Sequence, residues 1–77
     1  MEQTLRELVA KIAETSNDFQ ADANLRDDLK IDSVRALELM FEIEREFKIQ
    51  IPMNGYAQVR SFLDLLALAK SLKQLSR

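Results

Sequence analysis

Apolar residues recur along this chain in three blocks with helical spacing. Leu5, Leu8, Val9 and Ile12 fall at i, i+3, i+4 and i+7, which places them on one face of a helix. Thr4-Leu5-Arg6-Glu7 reads as a capping box, so the first helix is expected over residues 4–15. Thr15-Ser16-Asn17-Asp18 should stop it, because these side chains compete for backbone hydrogen bonds. Val34, Leu37, Met40, Phe41, Ile43 and Phe47, with Leu39 in addition, predict a second helix over 33–47 capped by Asp32. That is more than one stripe, so this helix must meet neighbours on two sides or expose apolar surface. Ser61-Phe62-Leu63-Asp64 is a second capping box, with Asp in the acidic place. Phe62, Leu65, Leu66, Ala69 and Leu72 then carry a last helix to about residue 75. Its final turn holds Lys70, Lys73 and Arg77, the sign that suits a helix C-terminus.

The intervening segments are unequal. Residues 16–32 show no sustained period, and Phe19, Leu25 and Leu29 are expected to peg this stretch onto the helices. Connections longer than about 12 residues are uncommon without a functional reason, and this one ends at Asp32-Ser33. Lys48 to Pro52 reads as an extended link, since a residue before proline is pushed away from helical angles. One short helix is expected over Tyr56 to Arg60. One Gly and one Pro in 77 residues are too few turn signals for a sheet protein. The expectation is an all-α fold, a small four-helix bundle with three main helices, a short third helix and a long first loop. Residues 1–77 are read as a single domain.

Composition narrows the chemistry. A hydrophobic fraction of 47% supports a folded core. Cys and His are both absent, which removes disulfides, protein thiols, the commonest zinc ligand and any Ser-His or Cys-His dyad. No catalytic residue and no metal site are expected. Residues 1–48 hold twelve acids against seven bases, whereas residues 49–77 hold one acid, Asp64, against four bases. Nucleic-acid binding needs a basic stripe with stacking aromatics, so it is disfavoured. No apolar run approaches the ~20 residues of a membrane span, and Met1-Glu2-Gln3-Thr4 lacks a signal pattern. A cytoplasmic, non-membrane monomer is expected.

Ser33 is the candidate for chemistry. A serine at a helix start is most often a cap, but Asp32 already supplies one here. The first turn of a helix also offers unpaired N–H groups and a positive dipole end, a favourable seat for an attached phosphate.

From Leu25 through Phe62 the sequence resembles the acyl carrier protein family. Asp28-Leu29-Lys30-Ile31-Asp32-Ser33-Val34 is similar to the family's Asp-Leu-Gly-x-Asp-Ser-Leu signature. Glu44-Arg45-Glu46-Phe47-Lys48-Ile49-Gln50-Ile51-Pro52 resembles the family's Glu-Glu-Glu-Phe followed by an Ile-Pro. The resemblance implies a carrier and not an enzyme. A phosphopantetheinyl transferase would move 4′-phosphopantetheine from coenzyme A onto Ser33, and the arm's thiol would hold acyl groups as thioesters. Partners implied are that transferase together with acyl-transferring and condensing enzymes. By the same resemblance, Asp32 falls at the transferase site. Val34, Arg35, Glu38, Phe41 and Glu44 fall where family members meet partner enzymes. Leu37, Met40, Ile51, Val59 and Phe62 fall where the family lines a cleft for the acyl chain, and would otherwise be plain core.

Three departures bear on specificity. Lys30 stands where the family has glycine, Arg35 stands where fatty acid carriers are usually acidic, and residues 53–58 contain no acid. Residues 33–47 carry a balance of −2, so steering by a basic enzyme patch should be weak. The reading is a specialised carrier for lipid, polyketide or nonribosomal synthesis. The alternatives are a housekeeping fatty acid carrier and an unmodified helical interaction module.

Overall fold

Four helices, α1 (Glu2–Ala13), α2 (Ser33–Phe47), α3 (Met53–Tyr56) and α4 (Phe62–Leu75), build the expected small all-α bundle. The structure, a computed structural model, describes residues 1–75, so Arg77 of the expected last turn lies outside the described residues. α1 packs on α2 and α3 packs on α4. Leu5 and Val9 of α1, Leu39 and Ile43 of α2, and Phe62 and Leu65 of α4 are the largest fully buried side chains. Each such side chain stabilises the fold by about 1.5–3 kcal/mol through loss of apolar contact with water.

The first helix is shifted from its predicted bounds. It begins at Glu2, because the Leu5 amide already donates to the Met1 carbonyl at 2.9 Å and draws Thr4 inside the helix. The Thr4–Glu7 capping box therefore does not form. The helix ends early because Glu14 turns left-handed, with φ of 58°, and the Thr15 amide then reaches back to the Ala10 carbonyl at 3.0 Å.

The long first loop is held by three devices. Arg6, on α1, donates to the carbonyls of Phe19 at 2.6 Å and Asn17 at 3.0 Å. Its guanidinium lies over the rings of Phe19 and Phe62, 4.7 and 5.0 Å from their centroids, and the two rings meet edge to face. Further on, Asn24 Oδ1 accepts from the amides of Arg26 and Asp27, while Asp28 Oδ2 accepts from the Asn24 amide. The loop is finally paired to the α3–α4 link: the Leu25 amide donates to the Arg60 carbonyl at 2.9 Å, and the Phe62 amide donates to the Ala23 carbonyl at 3.1 Å. Leu25 and Ile31 are buried in the core, with Phe19 and Leu29 packed against it.

That same pairing corrects the short helix. It forms over Met53–Tyr56, not Tyr56 to Arg60. Pro52, extended at ψ of 143°, launches the turn immediately, and the Tyr56 amide donates to the Pro52 carbonyl. Arg60 is drawn into extended pairing with the first loop and so cannot be helical. α2 and α4 match their predicted starts.

Leu37 is a second correction. The resemblance puts it at the acyl-chain cleft, with plain core as the alternative, yet it is 47% exposed, on the same outer face as Val34 and Phe41 at 67% and 68%. Seven of the fifteen α2 residues are apolar beyond Ala36, but α1 and the remaining core cover only the face bearing Leu39, Met40 and Ile43.

Candidate functional site

Ser33 is exposed and opens α2. The chain is aimed into this helix by Lys30, whose φ of 60° lies in the left-handed region that suits glycine. Asp32 is extended, and its Oδ1 accepts from the Arg35 amide at 3.0 Å, so it is the N-cap that the sequence predicts. The Ala36 amide closes on the Asp32 carbonyl at 2.8 Å. The amides of Ser33 and Val34 meet no protein acceptor among the described residues. Two backbone donors thus stay open in the first turn that Ser33 begins, at the positive end of a 15-residue helix.

A groove of about 550 Å³ runs beside Ser33. Its lining combines the buried Leu25 and Ile31, the half-buried Ala36, Tyr56 and Val59, and the exposed Arg26, Asp27 and Arg60. Burial pushes the Tyr56 hydroxyl above its ordinary pKa.

The charged candidates separate. The Arg35 guanidinium turns away from Ser33, donating to the Ile12 carbonyl at 2.8 Å and lying 3.5 Å from the Glu14 carboxylate. It therefore caps the C-terminus of α1. Glu44 is half-buried, and its Oε2 accepts from the Ile51 amide at 2.7 Å, which holds the α2–α3 link in place. Glu42 is tied to Arg45 at 2.8 Å and Lys11 at 3.6 Å; the Arg45 hydrogen bond foremost keeps its carboxyl below the usual value. Glu38 remains exposed beside the Val34–Leu37–Phe41 ridge.

The expected cleft residues do not gather into one open channel. Met40, Ile51 and Phe62 are buried in the common core, Val59 is half-buried at the groove, and Leu37 lies outside. Sequence reasoning missed the groove and the Arg6 staple. Arg26, Tyr56 and Arg60 carry no periodic signal, and only the loop pairing brings them to Ser33.

A four-helix bundle that presents an exposed serine at a half-open helix N-terminus has the build of a carrier domain. The chain matches the family described as phosphopantetheine attachment site over residues 3–75 and belongs to this acyl carrier protein family. It is 30% identical over 56 residues to an acyl carrier protein of Rickettsia bellii strain RML369-C, covering 73% of this chain and 65% of that relative. The acyl carrier protein of strain OSU 85-389 is likewise 30% identical over 56 residues, with 69% of that relative covered. The family's prosthetic group is 4′-phosphopantetheine.

The residues around Ser33 fit that group. A phosphodiester there would meet the free amides of Ser33 and Val34, and the neighbouring groove leaves room for the arm. The group supplies a thiol on a flexible tether, which a chain without cysteine lacks.

Proposed function

We propose that this chain is one carrier domain over residues 1–77, in which Ser33 bears 4′-phosphopantetheine and presents acyl thioesters to partner enzymes. The observation that carries it is an exposed Ser33 at the start of α2, where the amides of Ser33 and Val34 are left unsatisfied. On modification, Ser33 Oγ loses its proton and forms a new P–O bond to the phosphoryl group adjoining pantetheine. The pyrophosphate P–O bond of coenzyme A breaks, and adenosine 3′,5′-diphosphate leaves. The domain acts as a carrier, not as a catalyst.

Asp32 orders the first turn for the transferase. Val34, Leu37 and Phe41, with Glu38 alongside, form the face offered to acyl-transferring and condensing enzymes. Arg35 and Glu44 support that face from within, through their bonds to Ile12 and Ile51. Residues 33–47 carry a balance of only −2, and one of the four α2 acids, Glu42, is paired with Lys11 and Arg45, which weakens steering toward a basic partner. This supports a specialised lipid, polyketide or nonribosomal pathway over housekeeping fatty acid synthesis. No helix among the described residues is long and apolar enough to cross a membrane, and the cytoplasm is the proposed site of action.

Incubation with coenzyme A and a promiscuous transferase tests the assignment. The intact mass should rise by one arm, and Ser33→Ala should abolish the rise. No rise while a control carrier is modified, or an unchanged rise in Ser33→Ala, would refute it.

A further inference from the structure

Among the described residues, Glu14, Lys30 and Lys48 hold a left-handed backbone, with φ of 58°, 60° and 56°. That conformation is unfavourable for any residue with a Cβ. Two of the three have a local reason for it. Glu14 and Lys48 are the C-caps of α1 and α2, where a left-handed residue ends the helix. Glu14 also pairs with Arg35 at 3.5 Å, and Lys48 places a cation at the negative end of α2. Lys30 has neither. It ends no helix, it is exposed, and among the described residues its ammonium forms no ion pair and no hydrogen bond. It stands three residues before Ser33, toward the positive end of α2, where a cation is disfavoured. The acids flanking it are engaged elsewhere: Asp28 Oδ2 accepts from the Asn24 amide, and Asp32 Oδ1 accepts from the Arg35 amide.

An anion on Ser33 reverses this balance. A phosphodiester there carries a full negative charge, which the start of α2 favours. Three residues of chain separate two Cα atoms by at most about 11 Å. The four-carbon stem of a lysine and a serine phosphate ester together bridge that distance. Arg35, the other cation close in sequence, is held by the Ile12 carbonyl and the Glu14 carboxylate.

We propose that Lys30 is the charge partner of the phosphodiester on Ser33, so that attachment of the arm turns an unfavourable lysine into a stabilising one. This rests on Ser33 being the attachment site. Lys30 then holds the phosphate at the start of α2 together with the open amides of Ser33 and Val34.

The test measures thermal unfolding of the full-length chain before and after loading from coenzyme A, with the added mass confirmed. The difference in midpoint between the two forms cancels any effect that a substitution has on both. Loading should raise the midpoint, and Lys30→Gln should reduce that rise by about 2–4 °C at low salt. The reduction should vanish in concentrated salt, where the pair is screened. Lys30→Arg should keep the full rise, and Arg60→Gln, which removes a cation lining the groove, should leave it unchanged. A confirmed mass with no rise in the parent chain, or with an equal rise in Lys30→Gln, overturns the pairing while leaving the attachment intact. Absence of the added mass overturns both.

Discussion

Two helices of this protein begin on a serine-bearing capping segment, and their first turns end up in opposite states. At α4, Ser61 Oγ accepts from the Asp64 amide at 3.2 Å, and Asp64 Oδ2 accepts from the amides of Ser61 and Arg60 at 3.2 and 3.1 Å. The amides of Phe62 and Leu63 donate to the carbonyls of Ala23 and Ala21. Every donor of that turn is used. At α2, Asp32 caps one amide and leaves those of Ser33 and Val34 open. α4 begins against the first loop at the buried Ala23, so an unsatisfied donor there would be costly. α2 begins at the surface, where open donors are tolerated and available to an anion. Ser61 is therefore architecture, and Ser33 is the position proposed for attachment.

The largest test of this contrast compares the first residue of each helix. Phe62 is fully buried, and Phe62→Ala should destabilise by about 3–5 kcal/mol in urea denaturation. Ser33→Ala, at the matching position of α2, should change stability by no more than about 0.5 kcal/mol. A large loss at Ser33 would break the comparison. Asp32→Ala should cost about 1 kcal/mol through loss of the α2 cap, read from the same unfolding curves.

Lys30→Gly should stabilise by about 0.4–1 kcal/mol, since a left-handed backbone strains a residue bearing a Cβ. No gain would mean that the Lys30 side chain contributes a compensating contact. The smallest effect concerns pH. The Asp64 carboxyl lies below its ordinary value of 3.8, chiefly because it accepts from the Arg60 amide and then from that of Ser61. Its folded value is depressed, so its contribution is complete above pH 3.8 and fades as pH falls through the lowered value. The acid limb of a stability–pH profile should flatten there in Asp64→Asn. An unchanged limb would show that the box contributes nothing measurable.

The helical blocks were legible because burial on one face leaves a period in the chain. The Leu5–Leu8–Val9–Ile12 stripe, the Ser61–Asp64 box and the Asp32 cap are local patterns, and the described helices follow them closely. Boundaries were less legible where distant contacts compete. Tyr56 to Arg60 have ordinary helical character, but Arg60 pairs with Leu25 across the bundle. Leu37 and Leu39 are the same residue type two positions apart, and only the placement of the other helices makes one half exposed and the other buried.

Ser33 stands at this division. Its residue type, its neighbour Asp32 and the stripe that follows were determined by sequence alone, because capping and periodicity act within a few residues. The groove that Arg26, Tyr56 and Arg60 make beside it was decided by tertiary structure. So were the inward turn of Arg35 and the open amides that distinguish Ser33 from Ser61. Each depends on which surfaces the packed helices cover, and that is a property of the whole bundle.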